Sequence, residues 1–367
     1  MSQSLDAGAP SYRIRIAGST DGGDRVPDLS PREALERWLN KLRVDKSDAT
    51  VSSYHYRLKL FVEWAEDEAI VDVSELTGWD IESYETHRRR QGVKPVTLNK
   101  ELLTLKQFLS YCARVELVNE RLPEKVDPPD VAKQADVDET RLHPDRARAL
   151  FDYYDAHEFG SRSHTLLTLI WYTGARLNAL RGLDLDHYHS AEAFVEFLHE
   201  PDRNLPLKNG PEGERAVGLT DYAVDVVNTY VREHRKEQFE DGARPLLTSQ
   251  SGRASENAVR AWSYLATVPC LHTDCPHGNE RDTCEFVDYS KASQCPSSRS
   301  PHQVRSGAVT WMLNRGVPIE VVADRVNTSV RVLKKHYDQP TRREELEERR
   351  RQHIDRLDFD GDEEGGQ

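Results

Sequence analysis

The sequence predicts a mainly α-helical chain of two domains, the second holding a small β-sheet. Three observations carry this expectation. The chain has 367 residues, more than a single core usually serves. Apolar residues recur at helical spacing through residues 29–119, and again in blocks after residue 141. Only two short stretches, 193–198 and 215–219, alternate with the period of a strand.

Residues 1–27 are rich in Gly, Ser, Ala and Asp and are expected to be a disordered leader. The first domain, 28–120, opens on Ser30-Pro31 with Glu33 close behind: a cap, a first-turn proline and an acid at the positive end of a helix. Ala34, Leu35, Trp38, Leu39 and Leu42 then form one stripe. A second helix is predicted over 50–68, with Tyr54, Leu58, Phe61, Val62 and Ala65 on one face. A third follows Thr77 and stops at Gln91-Gly92, and a fourth spans 95–115 with Leu98, Leu102, Leu105, Leu109 and Cys112 as its stripe. Residues 121–140, rich in Pro and acids, read as a linker. The second domain, 141–357, is expected to place helices at 146–157, 163–172, 221–237, 256–266, 302–314, 319–326 and 330–337, around the two strands. Residues 358–367 form an acidic tail.

The net charge is -13, opposite to the basic footprint that phosphate-binding proteins usually carry. The charge is unevenly spread, however. Basic residues favour Arg over Lys and gather at 87–90 and 342–351, while acids gather at 120–139 and 355–364. An acidic, lysine-poor surface also fits a salt-rich cytoplasm. No apolar run is long enough to cross a bilayer, and the start lacks a secretory pattern, so a cytoplasmic protein with no membrane partner is expected.

Four short motifs carry side chains suited to phosphate chemistry. In Tyr172-Thr173-Gly174-Ala175-Arg176, Gly174 allows a turn into a helix start and Arg176 offers a planar donor fork. Lys208 lies in Leu207-Lys208-Asn209-Gly210, ahead of the strand Arg215-Ala216-Val217-Gly218-Leu219. His302-Gln303-Val304-Arg305 sets a His and an Arg on one helix face, at a helix start whose dipole favours an anion. Lys334-Lys335-His336-Tyr337-Asp338 ends a helical pattern on a tyrosine. Each has a plain alternative: a surface arginine behind a helix cap, a solvated lysine, a chance His/Arg spacing, or one helix-end aromatic among 14 tyrosines.

In this order the motifs resemble those of the tyrosine recombinases, or phage integrases, over residues 29–357. The resemblance implies a helical core-binding, SAM-like domain followed by an α+β catalytic domain of the DNA breaking-rejoining fold. It implies that Arg176 and Arg305 clamp the scissile phosphate, that Lys208 is the general acid and His302 the general base, and that Tyr337 is the nucleophile. Two positions depart from the family pattern. Ala179 stands where an acid usually follows the first Arg, and Arg325-Val326-Asn327-Thr328-Ser329 stands where a Leu-Gly-His run is usual. Asn327 is expected to replace the missing His as a neutral donor to phosphate, with Thr328 as the alternative.

These residue types suit the chemistry. Two guanidiniums neutralise the oxygens on which charge grows in the pentavalent transition state. A phenol has a pKa of about 10 and needs a base, and the leaving 5′ oxygen needs an acid. The covalent 3′-phosphotyrosine keeps the bond energy, so strand exchange needs no metal, ATP or water. The expected function is a site-specific recombinase or integrase. The alternatives are a relaxing enzyme of the type IB topoisomerase kind and a catalytically degenerate DNA-binding relative. Double-stranded DNA is the expected partner, held between the two domains by a homotetramer, two protomers per site. The charged segment 341–355 is a candidate to dock on a neighbour, with a simply solvated helix as the alternative, and an accessory directionality protein is a candidate partner. Arg88, Arg89, Arg90, Lys94, Lys100 and Lys106 are the candidate backbone contacts of the first domain, positioning the duplex without reading its sequence; the plain alternative is a solvated helix face.

Of 5 cysteines, Cys112 falls on an apolar stripe and reads as buried. Cys270, Cys275, Cys284 and Cys295 fall in one polar insertion, residues 268–298, and suggest a structural zinc, with His272 and His277 as competing ligands. Their spacing is wider than usual, and free thiols or disulfides are the alternatives. A similar cysteine-containing insertion marks integrase-like proteins of halophilic archaea. A zinc here would pin the insertion just before Pro301-His302.

Overall fold

The computed structural model describes residues 27–131 and 140–336, with the isolated positions 346, 351 and 354. The expected leader, the acidic tail, the segment 341–355 as a helix, and Tyr337 itself lie outside the described residues. The chain divides into two compact units, Met1–Val137 and Asp138–Gln367.

The first unit is built from α1 (Pro31–Leu42), α2 (Asp48–Asp67), α3 (Gly78–Arg90) and α4 (Pro95–Arg114). Ser30 caps α1 in a reciprocal box with Glu33, an arrangement that contributes about 1 kcal/mol. Leu35, Trp38 and Leu39 of α1 pack with Leu58, Phe61 and Val62 of α2 and with Leu102, Leu105 and Phe108 of α4. Trp38 stacks on Tyr54 at 5.5 Å between ring centroids.

This core extends beyond the predicted boundary at residue 120. Leu122 and Val126 are buried in it, and Lys106 donates to the Val126 carbonyl at 3.2 Å. The first part of the expected linker is therefore packed structure: two apolar side chains, spaced too sparsely to show a period, are enough to fold it back.

In the second unit α5 (Pro144–His157) leads to α6 (Arg162–Thr173), whose residues from His164 to Trp171 are all buried. A helix apolar on every side must be surrounded, and α6 packs against α8 (Asp221–Thr229), α9 (Glu256–Ala266) and α10 (Pro301–Asn314). Between α6 and α8 lie α7 (Leu177–Arg181) and an antiparallel sheet in the order β1 (Tyr188–His189), β2 (Phe194–Phe197), β3 (Arg215–Gly218). Val195 pairs with Val217 and Phe197 with Arg215. The two-residue β1 is too short to announce itself by alternation. The helix expected over 221–237 loses its α form after Thr229 and continues as a π turn, Tyr230–His234. The chain ends its described part with α11 (Ile319–Arg325) and α12 (Val330–His336). Among the described residues no helix is long and apolar enough to cross a membrane.

Candidate active site

The Thr-Gly-Ala-Arg box is the join between α6 and α7. Gly174 ends α6 in the left-handed conformation (φ 59°), and a Cβ there would stand 2.5 Å from Val326 Cγ1, so only glycine fits. Arg176 is then the N-cap of α7. Its guanidinium Nη1 donates to the Asn327 carbonyl at 2.6 Å. Ala179, where an acid was the usual expectation, is buried in the core, and the Asn327 carbonyl is a partner that holds Arg176.

Arg305 reaches the same place from α10. That helix starts with a capping box between Ser300 and Gln303 and Pro301 in its first turn. Arg305 is 1% exposed and donates through Nη1 to the Gly174 carbonyl. His302 lies exposed in the first turn of α10.

Lys208 comes from the excursion that joins β2 to β3. Leu207, buried in the core, anchors its near side, and the Leu207 N–H donates to His199 Nδ1 at 3.0 Å. The Lys208 ammonium is held below the usual lysine pKa, first by the Arg176 charge, then by partial burial and Arg305. That places Lys208 within electrostatic reach of both guanidiniums.

Two further arginines, which the motif reading did not assign, join this cluster. Arg215 lies over the Phe197 ring at 4.4 Å, its Nε donates to the Arg325 carbonyl at 2.8 Å, and its Nη1 donates to the Gly213 carbonyl at 3.0 Å. Burial, then the Arg305, Arg176 and Arg325 charges, push Arg215 down to about 10. Arg325 in turn donates to the carbonyls of Tyr172 and Gly218, each at 2.6 Å. Among the described residues, the charges that shift Lys208 and Arg215 are themselves cations. Both arginines stood within motifs already singled out, but an arginine's alternatives are decided only by the fold.

Asn327 is half-buried, with φ 51°. Its side-chain Oδ1 accepts from Asn209 Nδ2 at 2.7 Å, and its Nδ2 stands 3.5 Å from the Gly213 carbonyl. Tyr337 would follow the last residue of α12 and lies outside the described residues.

Arg88 is not offered to a ligand. It is 9% exposed and holds Glu101 with two bonds, Nε at 2.9 Å and Nη2 at 2.8 Å. This corrects the expectation of a DNA contact there: the residue lies on the inner face of α3, which a basic run conceals. Lys106 is half-buried and engaged with Val126. Arg89, Arg90, Lys94 and Lys100 are exposed, Arg89 beside Glu85 at 2.6 Å.

Cys112 is fully buried, which pushes its thiol up to about 12. The four cysteines of the insertion are free thiols. Among the described residues, the group of potential metal ligands whose atoms lie within 4.8 Å of one another is Asp184, His187 and Glu200, and no three of the insertion's cysteines and histidines reach that spacing. The acidic group is already neutralised: Arg203 holds Asp184 at 2.9 Å and Glu200 at 2.8 Å, and Arg253 holds Asp184 at 2.6 Å.

Residues 35–116 match the family model described as phage integrase, N-terminal SAM-like domain. The tyrosine recombinase XerD of Pseudomonas aeruginosa is 24% identical over 300 residues, covering 78% of this chain and 86% of that one. In sequence the chain is similar to the tyrosine recombinases over most of its length. The solved structure of the Tn1549 transposon integrase in complex with a circular intermediate DNA aligns with this chain at a TM-score of 0.61 and 12% identity, covering 90% of this chain and all of that one. A lambda integrase dimer bound to a COC′ core site aligns at 0.58 and 12% identity, covering 82% and 75%. A helical domain followed by a helical domain with a small sheet is thus the fold of these integrases and of this chain. Arg325 and Asn327, in the run that stands where Leu-Gly-His is usual, bond to the Thr-Gly-Ala-Arg box and to the lysine excursion at once.

Proposed function

We propose that this protein is a site-specific DNA recombinase that cuts and rejoins strands through a 3′-phosphotyrosine, using Tyr337, Arg176, Arg305, Lys208 and His302. The observation that supports this most directly is the gathering of Arg176, Arg305 and Lys208 into one cationic cluster from three separate elements. A cluster of cationic side chains held on backbone carbonyls is an arrangement that an anion completes.

The Tyr337 hydroxyl attacks phosphorus and gives its proton to His302. The phosphorus–oxygen bond to the 5′ carbon breaks, and the leaving oxygen takes a proton from Lys208. Arg176 and Arg305 hold the non-bridging oxygens while charge builds on them. Attack by a 5′ hydroxyl of another strand reverses the step, with Lys208 then the base and His302 the acid. Arg89, Arg90, Lys94 and Lys100 supply backbone contacts to duplex DNA. The protein acts as a homotetramer on DNA, with an accessory protein to set direction where one is present.

The test is adduct formation. With nicked duplexes drawn from a random-sequence library, the wild type should leave a covalent protein–DNA band on denaturing gels. Tyr337→Phe should abolish the band and keep binding on native gels; a band of undiminished strength in that variant would refute the assignment. Exchange between two sites separates recombination from simple relaxation of supercoils.

A structural zinc in the insertion is the second part of the reading. Its support is the set of reduced thiols, Cys270, Cys275, Cys284 and Cys295, in one polar loop. Ligation would draw the sulfurs closer than they stand, and so tighten the chain that enters α10. Metal analysis of reduced, purified protein should give one zinc per chain; a clear absence removes this part and leaves the catalytic reading intact.

A further inference from the structure

We propose that Asn209 and Asn327 form a side-chain latch that positions Lys208, so that Asn327 serves the general acid and not the phosphate directly. This rests on the reading above that Lys208 protonates the leaving oxygen. Lys208 is an exposed residue whose ammonium has no hydrogen bond of its own among the described residues. Its place is set by what holds the chain on either side. On the near side Leu207 is buried in the core, with its N–H on His199. On the far side the first fixed point is Asn209, whose amide donates to Asn327 Oδ1 at 2.7 Å.

The far end of the excursion is held from the same quarter. The Gly213 carbonyl accepts from Arg215 at 3.0 Å and faces Asn327 Nδ2 at 3.5 Å. A Cβ at Gly213 would stand 2.6 Å from that nitrogen, so glycine is what lets the loop close on the amide. Both ends of the Asn327 amide thus meet the lysine excursion. Its backbone carbonyl meanwhile holds Arg176. One residue ties the general acid to the guanidinium at whose phosphate it must act. A displacement of about 1 Å in such a group can cost about a hundredfold in rate.

A substrate with sulfur in the 5′ bridging position tests this. A thiolate leaves without a proton, because its conjugate acid has a pKa of about 8.5, so the step no longer needs Lys208 well placed. The variants are Asn209→Ala, in an exposed loop, and Asn327→Gly, which removes the amide and keeps both the backbone carbonyl and the left-handed conformation. Duplexes that the wild type captures from a random library are resynthesised with bridging oxygen or sulfur, and single-turnover adduct formation is timed.

On oxygen DNA each variant should be slower by about 10- to 100-fold. On sulfur DNA each should fall within about threefold of the wild type, and the double variant should be no slower than the worse single one. Asn209→Ala within about threefold of wild type on oxygen DNA overturns the latch. So does an equal loss on both substrates, which for Asn327→Gly alone would mark a direct phosphate contact. If the wild type captures no DNA, the catalytic reading fails and the latch with it.

Discussion

Arg176 and Asn327 are 151 residues apart in sequence and meet through a 2.6 Å hydrogen bond from guanidinium to backbone carbonyl. The carbonyl points at Arg176 because Asn327 is left-handed, with φ 51°. Asparagine tolerates that region, glycine occupies it freely, and a β-branched residue is strained there by about 1–3 kcal/mol. In urea unfolding of the second unit's transition, Asn327→Gly should therefore stay within about 1 kcal/mol of the wild type, whereas Asn327→Val should lose about 1–3 kcal/mol. Equal stability of the two would mean that the backbone there is not left-handed in solution.

The basic run at the end of α3 divides into inward and outward members. Replacing Arg88 by Met leaves Glu101 as an unpaired buried carboxylate, a change that typically costs about 3–5 kcal/mol. Arg90→Ala and Lys94→Ala touch exposed side chains and should shift stability by no more than about 0.5 kcal/mol. If they contact phosphates, each should lower the slope of log affinity against log salt by about one. Thermal melts together with DNA titrations at several salt concentrations separate the two classes. An Arg88→Met protein of full stability would remove the structural role.

Helix starts were the most legible part of the fold. Ser30 with Glu33 caps its helix as local chemistry alone requires. Gly174 was legible for a similar reason, since its role is conformational and local. What local pattern could not carry were partners distant in sequence. Nothing near Arg88 names Glu101, and nothing near Arg215 or Arg325 names the carbonyls that they hold. Likewise the loss of an acid at Ala179 looked like a missing partner for Arg176, and only the folded chain supplies the Asn327 carbonyl. The insertion is the opposite case: its composition points to a metal, but a ligand set depends on distances that spacing in sequence does not fix.

Lys208 should leave a mark on the pH profile. Arg176 foremost, then burial and Arg305, hold its pKa below that of a free lysine. The leaving oxygen needs the protonated form, so cleavage should decline as pH rises, through a midpoint below that of a free lysine. The decline should vanish with a sulfur leaving group, which needs no proton. The same shift acts on stability with a definite sign. The unfolded chain holds this proton more tightly than the folded one, so the penalty from Lys208 is present at neutral pH and is relieved as pH climbs. Single-turnover rates from neutral to alkaline pH on both substrates check this; an alkaline decline that persists with sulfur would assign it to another group.

Gly307 gives a prediction opposite in sign to the usual rule. Alanine in place of glycine inside a helix ordinarily stabilises by up to about 1 kcal/mol. In α10, however, a Cβ at Gly307 would stand 2.0 Å from the Leu142 carbonyl oxygen and 3.2 Å from the Trp171 ring. Leu142 is itself bound to this helix, its N–H donating to the Gln303 carbonyl at 3.1 Å. Since a backbone oxygen cannot rotate away as a side chain can, Gly307→Ala must push the chain before α5 off α10. A net loss of about 1–3 kcal/mol is expected, as for other overpacked sites. Because α10 also carries His302 and Arg305, adduct formation at equal folded concentration should fall as well. Calorimetry with a gel assay on the same preparation checks both effects. An alanine variant that melts higher than the wild type would show that the segment around Leu142 does not lie against this helix in solution.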